Sequence, residues 1–170
     1  MEWVPFELHP EIPPEGRPRD EVLPAAYRAR VDEGLNRLAA QSGLTLTRHE
    51  RLINSRPALQ AAEFARTQGR FDAIHQELFR AYWTEGRDLS DRSVLREVAG
   101  RAGVDGAGME QAIAENRYGD YLDARRQEAE ELMIDGIPAH VIADRYLVMG
   151  AQPYDVFQRV MERLDVPRRA

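Results

Sequence analysis

Asp135-Gly136-Ile137-Pro138-Ala139-His140-Val141-Ile142 runs on through Asp144-Arg145-Tyr146-Leu147-Val148-Met149-Gly150-Ala151-Gln152-Pro153, and the reading of this stretch decides the fold. Upstream, apolar residues recur every three or four positions. Here they fall into short β-branched and aliphatic runs, so the period changes from helix to strand. Ala139 to Ile142 and Arg145 to Met149 read as an antiparallel hairpin turning at Ala143-Asp144. Ala-Asp is poor chemistry for a two-residue turn, although aspartate tolerates positive φ better than most residues. Ile137-Pro138, just before the first strand, is a tight X-Pro turn. A cis peptide bond is expected there, because the tertiary amide loses most of the trans preference. The plainer role for Pro138 is to start a strand, where its missing N–H does least harm. Pro153 then begins a terminal helix with Val156, Phe157, Val160, Met161 and Leu164 on one face and Arg163, Arg168 and Arg169 towards its C-terminal end.

Working outward from the hairpin, the preceding chain reads as helical. Tyr118 to Met133 forms a helix rich in Arg, Gln and Glu on one side. Before it come a short helix around Met109 and Ile113 and one opened by Ser90, with Val94, Leu95 and Val98, ending near Gly100 or Gly103. Phe71, Ile74, His75, Leu78, Phe79 and Tyr82 give the strongest helical period in the chain, predicting the central helix of a bundle. Ser55 and Pro57 start a helix lined by Leu59, Ala62 and Phe64 up to Gly69. Leu44 and Leu46 alternate with Thr45 and Thr47 in a short extended piece. Asp20 is positioned to cap a helix in which Tyr27, Val31, Leu35 and Leu38 predict a buried face, stopped by Gly43. Glu11 to Arg19 is broken by Pro13, Pro14, Gly16 and Pro18. Glu2 to Leu8 carries Trp3, Val4, Phe6 and Leu8, a β-type run that Pro5 confines to a sheet edge. The order is therefore strand, helices, hairpin, helix: a sheet subdomain carrying a helical insertion.

A chain of 170 residues, 43% hydrophobic, suits one domain or a small core with an inserted subdomain. Its net charge of -6, with no concentrated basic face, argues against a nucleic-acid partner. All 23 basic residues are arginine, a bias better explained by a GC-rich genome than by recognition. There is no cysteine, so disulfides, thiolate metal sites and cysteine nucleophiles are excluded within the chain. No leader-like segment opens the sequence and no apolar run reaches membrane-spanning length, so a cytoplasmic location and no membrane partner are expected.

Trp3-Val4-Pro5-Phe6-Glu7-Leu8 with Pro13-Pro14-Glu15-Gly16, Asn54-Ser55-Arg56 with Ala61-Ala62-Glu63, Tyr82-Trp83-Thr84-Glu85-Gly86-Arg87-Asp88, and Gly136-Ile137-Pro138 through Gly150-Ala151-Gln152-Pro153 stand in one order along nearly the whole chain. Together they resemble the DsbA-like thioredoxin-fold family, especially its FrnE-like branch. The resemblance implies an α/β fold: a thioredoxin-like sheet with a large inserted helical domain, in which 1–19 and 134–170 form the partial thioredoxin-like subdomain and 20–133 the insertion. It also implies thiol–disulfide oxidoreductase chemistry. In that family a strand and a Cys-X-X-Cys helix precede the stretch that begins here, and the helix N-terminus lowers the thiol pKa. Carried over by position, Pro138 is the cis proline beside the dithiol and Ile137 the residue whose backbone pairs with an extended substrate.

With no Cys-X-X-Cys, the chain is expected to be redox-inactive alone, with no catalytic residue, metal or cofactor. In the family the absent strand lies between the strand at Glu2 to Leu8 and that at Ala139 to Ile142. Both would then present unpaired backbone groups, each costing about 1 to 3 kcal/mol when buried. A protein that begins upstream of Met1 is the favoured reading; a degenerate relative, or direct closure of the two strands, are the others. The expected partners are an extended polypeptide or thiol-containing substrate and, through open edges, a homodimer. Two other functions remain open: a non-catalytic module adding a peptide as a strand at Ile137-Pro138, and a glutathione-dependent isomerase or transferase of the same fold.

The remaining polar residues have plain readings. His75, on the apolar stripe, is expected to be packed and hydrogen-bonded. His140 would tune a thiolate near a dithiol, and without one is a half-buried strand residue. His9 and His49 stand alone in polar connections. Asp123, Glu128, Glu130 and Glu131, interleaved with Arg125 and Arg126, read as a solvated helix face rather than a cation site. Ser55 reads as a helix cap rather than a nucleophile.

Overall fold

The computed structural model describes residues 1–166, which form two compact units, Met1–Arg125 and the part from Arg126 onward. In the first unit the elements are β1 (Arg17–Pro18), α1 (Arg19–Val22), α2 (Ala25–Gln41), β2 (Arg51–Leu52), α3 (Arg56–Thr67), α4 (Phe71–Phe79), α5 (Arg92–Ala102), α6 (Gly106–Ala114) and the first part of α7 (Gly119–Glu131). Its core lies among α3, α4, α5 and α6, where Ala61, Phe64 and Ala65 meet Ile74, Leu78, Leu95, Val98, Met109 and Ala112. The helices stop and start where local chemistry dictates. Asp91 and Asp105 cap α5 and α6 by accepting from the Ser93 and Gly108 amides, and Gly103 ends α5 in the left-handed region.

Several expectations are corrected. Glu2 to Leu8 is no strand. Among the described residues no strand pairs with it, and residues 2–12 are held instead by side chains of α3 and of the approach to it. Arg66 donates to the Trp3 carbonyl (2.8 Å), Arg56 to the Glu7 carboxylate (2.8 Å) and Asn54 to the Ile12 carbonyl (2.8 Å). The short sheet of this unit is instead β1 with β2, Arg17 opposite Leu52 and Pro18 opposite Arg51. Gly16 leads into it with φ of 70°, and a Cβ there would sit 2.7 Å from the Leu52 carbonyl oxygen, so only glycine fits.

The helix expected from Asp20 is broken at Leu23-Pro24 into α1 and α2. Its apolar stripe is only partly covered: Val31 and Leu35 are half-buried, Tyr27 and Leu38 are exposed, and Ala39 alone of α2 is buried. Ser55 stands at the start of α3 without capping through its side chain; the Asn54 carboxamide oxygen accepts from the Arg56 amide instead. The central helix ends at Phe79 and widens into a π turn over Arg80–Thr84. That turn accounts for the segment 44–49, which is not a strand. Thr47 donates its amide to the Trp83 carbonyl (2.6 Å) and its hydroxyl to that of Thr84 (3.0 Å). His49 donates through Nε2 to the Tyr82 carbonyl (2.9 Å) and stacks on the Tyr82 ring at 3.8 Å.

The second unit holds the end of α7, β3 (Ala139–Ile142), β4 (Tyr146–Met149) and α8 (Tyr154–Arg163). Among the described residues the only sheets are the pairs β1–β2 and β3–β4. The chain is thus a mostly helical α/β protein, and the expected thioredoxin-like sheet is not formed among the described residues, which hold two separate two-stranded pairs. No helix of the described residues is long and apolar enough to cross a membrane. The helix-end role expected for Arg168 and Arg169 lies outside the described residues.

Candidate functional site

The hairpin is built from its turns. The Ile137–Pro138 peptide bond is cis. The Gly150 amide donates to the Pro138 carbonyl (2.7 Å), so the ladder begins at the proline. Pairing runs Ala139 with Met149, His140 with Val148, Val141 with Leu147 and Ile142 with Tyr146. The connection therefore has one residue more than expected, with Arg145 in the turn rather than in the strand, its amide donating to the Ile142 carbonyl (3.2 Å). Ala143 and Asp144 both adopt positive φ, 54° and 52°. Two successive left-handed residues turn the chain, and alanine there lacks the side-chain compensation that aspartate has.

This register fixes where each backbone group points. In an antiparallel ladder bonded and non-bonded pairs alternate. With Pro138–Gly150 bonded, His140–Val148 and Ile142–Tyr146 are bonded too. Ala139 and Val141 therefore turn their N–H and C=O groups away from β4, and no partner meets them among the described residues. Ile137, on the far side of the cis bond, also has no backbone hydrogen bond among the described residues. On the other edge Leu147 and Met149 face outward, and the Met149 carbonyl is taken by Gln152 Nε2 at 2.7 Å.

The two faces of the ribbon differ. His140 and Val148 share one, where the Phe157 ring of α8 meets the His140 imidazole edge-on at 5.0 Å and Val148 is buried. Ala139, Val141, Leu147 and Met149 share the other, with Val141 46% and Leu147 42% exposed. Ile137, at 56%, and Pro138 are exposed beside it. The structure thus puts Ile137 and Pro138 at the head of an open strand edge flanked by uncovered apolar side chains. His140 is half-buried, and its Nδ1 has no hydrogen-bond partner among the described residues. Sequence reasoning missed the Gln152 bond and the outward row; strand parity counted from Pro138 would have found the row.

The other polar candidates fall into structural roles. Asp123 bonds Arg56 (2.8 Å), while Arg126 pairs with Glu130 and Gln127 with Glu131. Among the described residues no group of three His, Asp or Glu side chains converges on a metal position. His9 bonds Glu11 (3.1 Å). His75 is held by rings rather than by a hydrogen bond, with Trp3 at 4.7 Å, Phe71 at 5.4 Å and Phe79 at 4.7 Å. Burial pushes its pKa below 6.5, Arg66 adds to that and Asp72 opposes it.

The profile of the DsbA-like thioredoxin domain matches residues 1–162. A Bacillus subtilis (strain 168) protein named Uncharacterized protein YwbO is 25% identical over 166 residues, spanning 95% of this chain and 80% of its own. The thiol:disulfide interchange protein DsbA of Bordetella parapertussis is 29% identical over 99 residues, 56% of this chain and 47% of that protein, so the match spans about half of it. The crystal structure of a probable DsbA oxidoreductase from Streptomyces coelicolor superposes with a TM-score of 0.81 at 26% identity, over 97% of this chain and 75% of that one.

Proposed function

Because the chain belongs to the DsbA-like thioredoxin domain family and has no cysteine, we propose that this stretch, redox-inactive on its own, supplies the substrate-holding part of a DsbA-like oxidoreductase, binding an extended polypeptide at the Ile137–Pro138 turn. Thiol–disulfide exchange requires a thiolate to attack a disulfide sulfur. No residue of this chain supplies one, so a thiol-containing substrate would be bound without being oxidised or reduced. What remains is strand addition, in which main-chain hydrogen bonds give affinity and side-chain contacts on alternate residues give specificity. The observation that carries this reading is the pair of Ala139 and Val141 with outward backbone groups, next to the exposed Ile137–Pro138 turn and beside an exposed apolar face. Within the family, the order of the stretches from Trp3 to Pro153 favours the FrnE-like branch. On that reading 1–19 and 134–170 correspond to thioredoxin-like parts and 20–133 to the helical insertion.

The test is fluorescence anisotropy of a labelled unfolded peptide. Saturable binding is expected, weakened at least tenfold by Ile137→Asp, which puts a charge at an exposed apolar position without touching a core. The unmodified chain is expected to reduce insulin disulfides no faster than buffer. Binding unchanged by I137D would remove the site, and turnover above buffer would remove the non-catalytic reading.

A further inference from the structure

We propose that Asp135-Gly136 is a modification site, at which the aspartate isomerises through a succinimide to an isoaspartyl residue on the approach to the Ile137–Pro138 turn. Asp-Gly occurs twice in the chain, at Asp105-Gly106 and at Asp135-Gly136, and the fold treats the two differently. Asp105 caps α6. Its carboxylate accepts from the Gly108 amide (3.1 Å), its carbonyl from the Met109 amide (3.0 Å), and its own amide donates to Gln68 Oε1 (3.2 Å). Asp135 has none of these. It is exposed in irregular backbone, and its carboxylate has no hydrogen bond or ion pair among the described residues.

Isomerisation needs the Gly136 nitrogen to reach Asp135 Cγ. The N–Cγ bond forms, the amide proton and the carboxyl hydroxyl leave as water, and a five-membered succinimide closes. Water then adds to a ring carbonyl. Addition at the main-chain carbonyl breaks its bond to nitrogen, so the backbone now runs through the Asp135 side chain, one carbon longer and of unchanged mass. No co-reactant other than water enters. Gly136 has no Cβ to obstruct the approach, and a Cβ built there would meet nothing within 4 Å, so the ring has room to form. The anchors on either side are firm. The Ile134 amide donates to the Ala129 carbonyl (2.8 Å) and the Gly150 amide to the Pro138 carbonyl (2.7 Å), whereas Asp135, Gly136 and Ile137 make no backbone hydrogen bond among the described residues. This three-residue bridge can rotate into the ring without breaking a bond elsewhere; at Asp105 the first turn of α6 would have to come apart. The extra main-chain carbon must be taken up between the same two anchors, and it therefore strains the Pro138–Gly150 bond that starts the ladder. None of this rests on peptide binding.

Trypsin separates the two sites, releasing them on peptides 127–145 and 102–117. The full chain, kept folded at mildly acidic pH and sampled over weeks, is expected to turn peptide 127–145 into a chromatographic doublet of one mass. The new peak should accept a methyl group from protein isoaspartyl methyltransferase, and it should grow at least tenfold faster than any doublet of peptide 102–117. In urea, where the cap of α6 is lost, the two rates should come within threefold of each other. Gly136→Ala should slow conversion at Asp135 at least tenfold, and Asp135→Glu, which would need a larger ring, should abolish it. Hydrogen exchange at the Gly150 amide should be at least threefold faster in the isomerised chain than in the unmodified one. Asp135 converting no faster than Asp105 in the folded chain, a tenfold excess persisting in urea, or a rate unchanged by G136A would each overturn the proposal, and unaltered exchange at Gly150 would overturn its effect on the turn. If G136A fails to fold, the comparison of folded chain with urea decides.

Discussion

Replacing Arg56 with methionine should destabilise the first unit by about 2 to 3 kcal/mol, and the structure supplies the reason. Glu7 is 5% exposed, and its carboxylate has the Arg56 guanidinium at 2.8 Å as its ion-pair partner. Burial disfavours the charge on Arg56, but hydrogen bonds to Asp123 and Glu7 more than reverse this and hold its pKa above the usual arginine value. The same guanidinium reaches the Gly119 carbonyl at 3.2 Å and Asp123 at 2.8 Å, so it ties the N-terminal segment and the start of α7 to α3. Removing one member of a buried pair costs about 3 to 5 kcal/mol, because the other is left charged without compensation. Arg56 is 25% exposed, so water relieves part of that cost. Asp123 is 63% exposed, and its share is an ordinary surface pair worth less than about 1 kcal/mol. The loss is a sizeable part of the roughly 5 to 15 kcal/mol that holds a domain folded.

Urea unfolding followed by tryptophan fluorescence measures this, because Trp3 and Trp83 both lie in the first unit. The informative comparison is a double-mutant cycle. Glu7→Gln keeps the shape of the side chain and removes its charge, so it should be costly alone and much cheaper once Arg56 is gone, with a coupling of about 1.5 kcal/mol or more. Asp123→Asn should couple by less than about 1 kcal/mol. An R56M chain within about 0.5 kcal/mol of the unmodified one, or a Glu7–Arg56 coupling below that value, would refute the assignment of the buried pair.

Two further outcomes follow from backbone conformation and from titration. Ala143→Gly relieves a left-handed alanine, a gain of about 1 to 2 kcal/mol offset by roughly 0.5 to 1 kcal/mol of unfolded-state entropy. Hydrogen exchange at the Gly150 and Val148 amides should slow about two- to fivefold, and unchanged exchange would contradict the strain at that turn. His75 has a folded pKa lowered below 6.5, chiefly by burial, so below pH 6.5 the unfolded chain binds a proton that the folded chain does not. Stability should therefore fall as the pH drops from 6.5 towards the folded pKa. His75→Phe, which keeps a ring against Trp3, Phe71 and Phe79, should flatten that part of the urea-midpoint profile; a slope unchanged by the substitution would assign it to another group.

What the sequence made legible is what depends on neighbours a few residues away. The spacing of Phe71, Ile74 and Leu78 and the stop at Gly69 are local, and α3 and α4 lie close to where the period puts them. The cis bond at Ile137-Pro138 and the hairpin after it are local as well. Elements that need a distant partner were not legible. Trp3, Val4, Phe6 and Leu8 satisfy every local criterion for a strand, yet a strand exists only where another strand pairs with it. There, Glu7 is buried while Trp3, Val4 and Leu8 stay exposed, because Arg56, far along the chain, supplies the charge that lets Glu7 go inside. The stripe of α2 predicted a buried face for the same insufficient reason: amphipathic spacing shows that a face can be covered, not that anything covers it. His49 was unreadable because its role lies in carbonyls freed by a π turn that no spacing announces.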